Sequence, residues 1–324
     1  MGITWRPATC NDIEPSLSIQ PRSRGDALVG VKAALDGWRH IIRDPFFASA
    51  VLEANPAIQG HRLIGLGASV LVSPAFANAE IADPRPDINS RVIASIHSGQ
   101  SVLATRNEVA RANAGEGVEL LVLHGSWRDQ ILSPAERQDV QTLLASTFVE
   151  WHAGYRIRRI LYETVDDPAR EFVQRSVVYR AIAQFPELGR VTHLMTRESV
   201  KDMPASLGNV LFIFREPVLR LRDSDQQLLL AALKGATDLE LATELGISFS
   251  AIKARWRSTF ARIAETMSDL VDDVNDHQGR GPQKRHRVLA YVRSHPEELR
   301  PYTWSSKKAP SLLDDDLGSC SLES

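Results

Sequence analysis

An α/β sandwich over residues 1–216, followed by an all-helical domain over 217–300, is the architecture the sequence predicts, with 301–324 expected as a disordered tail. Three observations predict it. Apolar strand-like runs at 63–72, 101–104, 118–123, 155–165, 191–195 and 210–214 alternate with stretches of helical spacing, the pattern of helices packed on a central sheet. The pattern then changes at a short joint, Arg215-Glu216-Pro217-Val218, beyond which the spacing is helical. Finally, positive charge gathers late in the chain. Residues 249–263 carry Lys253, Arg255, Arg257 and Arg262 without an acid, although the 324-residue total is nearly neutral, with 38 Lys+Arg against 40 Asp+Glu and a net charge of -2.

Gly65 and Gly67 lie inside an apolar run, where a bulge or close packing is expected, and 82–87 is a Pro-broken surface loop. Thr105-Arg106-Asn107-Glu108 and Ser133-Pro134-Ala135-Glu136 are capping boxes that open helices. In the second, Val140, Leu143, Leu144, Thr147, Phe148 and Trp151 mark one face. Asp167-Pro168 opens a further helix expected to run towards Ala183. His124 and Trp127 follow a strand end, where a pocket could open, and are weighted towards a structural role. Glu150 and His152, at the end of the long helix, are acid–base candidates expected at the surface.

The second part has equally local punctuation. Ser224 is the expected cap of a helix carrying Leu228, Leu229, Ala232 and Leu233, which Gly235 stops. Thr237 and Glu240 form a capping box, Gly246 breaks that helix, and Ser248 or Ser250 caps a third. Ile252, Trp256, Phe260 and Ile263 give the third helix an apolar stripe, which Met267, Leu270, Val271 and Val274 extend. After a loop at 276–282, residues 284–292 form a fourth helix.

Composition excludes several classes. Hydrophobic content of 43% with 24% charged residues is that of a globular chain rather than a disordered one. Cys10 and Cys320, at opposite ends, do not make a disulfide scaffold or a Cys-rich zinc site. The start lacks a signal-peptide core and no apolar run reaches about 18 residues, so a cytoplasmic protein without a membrane partner is expected. No paired-His metal spacing, phosphate-binding loop or G-x-S-x-G elbow occurs, and no cofactor is expected.

The run Leu239-Glu240-Leu241-Ala242-Thr243-Glu244-Leu245-Gly246-Ile247-Ser248, followed by Ala251-Ile252-Lys253, resembles the C-terminal helix-turn-helix of LuxR-type transcriptional regulators. It departs from that family at Arg255, Trp256 and Thr259, and at Asp225-Gln226-Gln227 in the preceding helix. The resemblance implies a third helix in the major groove of double-stranded DNA, with Thr237, Ser248, Phe249, Ser250, Lys253, Ala254, Arg255, Arg257 and Arg262 as the contacting set. It also implies a fourth helix that makes a homodimer contact.

Trp5-Arg6-Pro7-Ala8-Thr9-Cys10-Asn11-Asp12 and Phe148-Val149-Glu150-Trp151-His152-Ala153-Gly154-Tyr155 resemble segments of GNAT-type acyltransferases, bracketing about residues 3–165. That family cradles pyrophosphate on a Gly-rich turn before a helix. The turn expected in that role is 85–91, where Ile88 and Ser90 replace glycines. Two functions follow. One is a DNA-binding transcriptional regulator whose α/β domain senses an unknown small-molecule ligand or mediates dimerisation. The alternative is a GNAT-like acyltransferase with an acyl-CoA donor.

Overall fold

The computed structural model describes residues 2–16, 19, 31–165, 167–176, 178–203, 206–271 and 282–304. Strands β1 (Gly2–Arg6), β2 (Ala48–Ile58), β3 (His61–Val72), β4 (Val118–Trp127), β5 (Ile157–Thr164), β6 (Arg180–Phe185) and β7 (Arg190–Thr196) form one sheet in the order β1-β2-β3-β4-β5-β7-β6. The helices of this part are α1 (Ile13–Ser16), α2 (Val31–Ile42), α3 (Pro74–Ala82), α4 (Ile88–His97), α5 (Arg106–Ala114), α6 (Pro134–His152), α7 (Asp167–Ser176), α8 (Arg197–Val200) and α9 (Leu207–Leu211). Helices α10 (Asp223–Leu233), α11 (Asp238–Glu244), α12 (Phe249–Thr266) and α13 (Pro282–Ser294) follow.

The sheet is buried on both faces because its inner strands are apolar in both registers. Val70, Val72, Leu121, Leu123 and Leu161 meet α2, α3 and α4 on one side. Leu71, Leu120, Val122, Ile160 and Met195 form a second core on the other, with Val173 of α7 and Leu211 of α9. Helix α6 lies over β1, β2 and β3. It starts where Ser133 Oγ accepts the Glu136 N–H while the Glu136 carboxylate accepts from the Ser133 N–H and hydroxyl, with Pro134 at the first helical position. Neighbouring strands are antiparallel except β4 and β5, which run parallel.

The helical part has its own core, with Leu219, Leu228, Leu241, Ile252, Trp256, Ile263 and Val288 at its centre. Gly235 and Gly246 adopt left-handed φ of 84° and 64° after α10 and α11, a conformation that glycine reaches without a Cβ penalty. The two parts are joined by side chains. Arg106 makes a two-pronged pair with Asp223 and bonds Gln226. Arg300 donates to the carbonyls of Trp151 and Ala153 and covers the Tyr155 ring.

Several expectations need correction. Residues 101–104 contribute one isolated bridge, Val72 to Leu103, rather than a strand. Residues 210–214 hold the end of α9 and an irregular stretch, because Leu211 and Phe212 turn into the core beneath β7. The helix opened at Asp167 ends at Ser176, and the chain from Arg180 becomes edge strand β6 against β7. Arg222, not Ser224, is the N-cap of α10. Helix α12 stops at Thr266, and 268–270 form a separate 3-10 turn rather than an extension. The loop expected at 276–282 lies, up to 281, outside the described residues. The expected tail begins later than 301. Pro301 accepts a bond from Asn113 and the Thr303 N–H bonds Ala110, while 305–324 lie outside the described residues.

Candidate functional site

The parallel pair β4–β5 is hydrogen-bonded only from Val118↔Ile157 to Val122↔Tyr162. Beyond that point β4 continues to Trp127 against β3 alone, past a register shift at Ala68/Ser69 that leaves Leu123 as an extra residue. The strands therefore part, and side chains cross the gap. The Tyr162 hydroxyl donates to the Gly125 carbonyl at 3.2 Å, and a Cβ at position 125 would lie 2.8 Å from that oxygen, so glycine is needed there. On the opposite face the Asn89 amide bonds the Leu123 carbonyl.

A cavity of about 400 Å³ opens beside this parting, between the sheet and α6, α7 and α9. Its floor exists because β2 and β3 present small residues there: Ala48, Ala50, Gly67, Ala68 and Ser69. That run of small side chains beneath a long helix is the signal in the sequence that marks the cavity. Gly67 approaches Leu144 so closely that a Cβ would sit 3.0 Å from its methyl, so close packing is the role of this glycine.

Its polar lining residues include Ser69, Gln138, Gln141, Thr142, Tyr179 and two histidines. His152 is buried rather than at the surface, because the last turn of α6 faces the sheet. Its Nδ1 lies 2.6 Å from the Phe148 carbonyl and its Nε2 3.1 Å from Ser69 Oγ. A carbonyl only accepts, so Nδ1 carries the proton and Nε2 accepts from the serine hydroxyl. Burial pushes the imidazole pKa down to about 4, against the opposing bond from Phe148 and with a small push from Arg300 in the same direction. His124, stacked on Trp38, is likewise held down at about 4 by burial and by the charge of Arg190. Among the described residues, none of those lining the cavity is an Asp, Glu, Lys or Arg. Glu150 is exposed and outside it.

The anion-binding positions that the GNAT resemblance implies are taken by the protein's own carboxylates. At the 85–91 turn, the Asp87 and Ile88 N–H groups donate to the Glu163 carboxylate at 2.8 and 3.0 Å, and Arg190 closes the cluster at 3.0 Å. That turn also precedes α4, which together with α3 and α5 intervenes between β3 and β4, rather than the helix that follows the parted strand. The helix that does follow it is α6. There the Ser133 N–H is engaged by Glu136, Pro134 has no N–H, and the Glu136 N–H is engaged by Ser133. These residues do not fit a pyrophosphate.

The nine residues named for DNA contact lie along α11 and α12. Ser248, Phe249, Ser250, Lys253, Ala254 and Arg257 are exposed together at the start and outer face of α12. The other three differ from these in setting. Arg262 pairs with the buried Asp225 at 3.0 Å, the Thr237 hydroxyl donates to Glu240, and Arg255 is half-buried. Lys253 lies over the Phe249 ring at 4.5 Å, and Ser248 Oγ accepts the Ala251 N–H as helix cap.

No family model and no curated protein matches the chain. Solved structures similar to it include a mosquito arylalkylamine N-acetyltransferase-like 5b (12% identity, TM-score 0.35, 60% of this chain and 100% of that one). The C-terminal condensation domain of Ebony in complex with beta-alanyl-dopamine is another (9%, 0.36, 60% and 99%). FeeM, an N-acyl amino acid synthase from uncultured soil microbes, is a third (11%, 0.31, 60% and 94%). The fold itself is a mixed seven-stranded sheet with flanking helices, followed by a helical part. The expectation of a LuxR-type, DNA-binding transcriptional regulator finds no support in these comparisons: the proteins named are acyltransferase-like, and none is a transcriptional regulator. No described helix is long and apolar enough to cross a membrane.

Proposed function

We propose that the α/β part binds an acyl chain in the cavity beneath α6 and transfers the acyl group from a thioester to a nucleophilic acceptor. The parting of β4 and β5 after Val122 and Tyr162, directly beside an apolar cavity, is the observation that carries this reading. A thioester carbonyl presented at the parting has its chain buried among apolar side chains, where each methylene gains about 0.8 kcal/mol. In the transfer, the acceptor's nitrogen or oxygen bonds to the carbonyl carbon, the carbon–sulfur bond breaks, and the acceptor's proton leaves with the thiol. The two GNAT-like segments lie at β1 and at the passage from the last turn of α6 to β5. Because the Asp87, Ile88, Ser133 and Glu136 N–H groups are already taken by the protein's own side chains, recognition rests on the acyl part of the donor.

The test is calorimetric titration of the full chain with decanoyl-CoA and S-decanoyl pantetheine, followed by thiol release with a panel of amines and alcohols. Binding with accelerated thiol release is expected. Thiol release at the spontaneous rate with every acceptor sinks the transferase reading.

A further inference from the structure

Several polar side chains of the cavity wall already bond the protein. Ser69 and His152 hold each other, the Tyr162 hydroxyl donates to Gly125, and Gln138 meets Thr142 at the exposed end. The Thr147 hydroxyl and the Trp151 indole N–H have no partner, but both atoms are sealed off within the packing. Gln141 is different. It lines the cavity and is 9% exposed, its side-chain amide makes no hydrogen bond to a described residue, and that amide is not sealed. His124 and Tyr179 share the last two properties but are less buried, and His124 is stacked on Trp38.

The place of Gln141 follows from Leu144, three residues on, which packs against Gly67. Gly67 pairs with Gly125, where β4 has already left β5. Three residues of helix rise about 5 Å, so the amide stands about one turn along α6 from the parting. Left unpaired, a buried amide costs about 1–3 kcal/mol, and it has both a donor and an acceptor to satisfy. We propose that Gln141 selects the polar end of the cavity's ligand: an uncharged carboxamide or hydroxyl, which donates and accepts, in preference to an ester, which only accepts, or a carboxylate. This rests on the reading that the cavity takes an acyl chain, and adds that the group carried beside that chain is neutral and protic. A carboxylate buried there needs a cation beside it, and among the described residues none lining the cavity is a Lys or Arg. Such a transferase takes an acceptor that bears an amide or hydroxyl rather than an ionic group.

The experiment is calorimetry on the full chain at pH 8 with octanamide, methyl octanoate and octanoate, for wild type, Gln141→Leu and Gln141→Met. Both substitutions remove the amide at similar volume, and thermal melts establish that the variants fold. Wild type is expected to bind octanamide at least about tenfold more tightly than the ester or the acid. Each variant is expected to bring octanamide within about twofold of the ester, whose own affinity stays unchanged. No octanamide binding, a wild type without that preference, or a folded variant that keeps it overturns the proposal. If neither variant folds, a crystal structure of the wild-type octanamide complex decides. The bound amide must then lie within hydrogen-bonding distance of the Gln141 amide, about 3.2 Å, and any other position overturns the proposal. Selectivity through Gln141 without thioester turnover overturns the transferase reading alone, and turnover without that selectivity overturns the subsite alone.

Discussion

The Thr259 hydroxyl donates to Asp225 Oδ1 at 2.8 Å in the core of the helical part, and Arg262 Nε meets the second carboxylate oxygen at 3.0 Å. Asp225 and Thr259 both depart from the LuxR-type pattern, and the two departures are one interaction. A carboxylate on α10 needs a hydroxyl on α12 opposite it, and the Arg222 N–H completes its shell. Asp225→Ala leaves Arg262 half-buried and unpaired, with an expected loss of about 3 kcal/mol, whereas Thr259→Val costs about 1 kcal/mol. In urea unfolding, the double variant is expected to lose less than the sum of the two. Strict additivity means that the residues do not act as a unit.

The pH dependence of stability follows from the buried histidines. His124, His152 and His193 are each pushed down to about 4, in each case first by burial. The unfolded chain takes up these protons near pH 6.5, before the fold does. The stabilisation is therefore complete above pH 6.5 and is lost as the pH falls towards 4. The buried carboxyls Glu163 and Glu298, pushed up by burial, act in the opposite sense. His152→Gln is expected to flatten the fall in urea midpoint between pH 6.5 and 4.5. An unchanged slope places the proton uptake elsewhere.

Gly154 turns the chain from α6 into β5 at φ +83°, and a Cβ there would lie 2.4 Å from the Glu297 nitrogen. Gly154→Ala meets both a strained φ and the backbone of the segment docked on it, with an expected loss of about 2 kcal/mol. Limited proteolysis should then cut first near residues 295–304. A variant as resistant as wild type argues against the close approach.

If the acyl part alone is recognised, the nucleotide adds little. The expected kcat/KM values for decanoyl-CoA and S-decanoyl pantetheine lie within about fivefold of each other, the span of one helix-terminus contact. A preference for the CoA thioester of a hundredfold or more would reveal a phosphate site on another surface.

What was legible in the sequence was local. The capping boxes at Thr105, Ser133 and Thr237 gave true helix starts because both partners of each box lie within four residues. Strand β2 was not legible, since Ala48-Ser49-Ala50 has little β propensity and is a strand through its pairing with β3. Strand β6 was hidden likewise, as residues 180–185 are set by their neighbour β7. Of the site, the roof face of α6 could be read from Leu144, Phe148 and Trp151. The unpartnered Thr147 hydroxyl, the buried His152 and the separation of β4 from β5 depend on contacts between residues tens of positions apart.

Arg300 grips the last carbonyls of α6 from the far end of the helical part, immediately before Pro301 and Thr303 bond Asn113 and Ala110 of the α/β part. The roof of the cavity and this clasp share the same turn of chain, since His152 and Trp151 face inward where their neighbours are held from outside. Whatever free energy a bound molecule exerts on that turn is felt by the clasp in equal measure, because such coupling is reciprocal. A molecule that favours one arrangement of that turn thereby also biases how tightly the two parts of the chain hold one another.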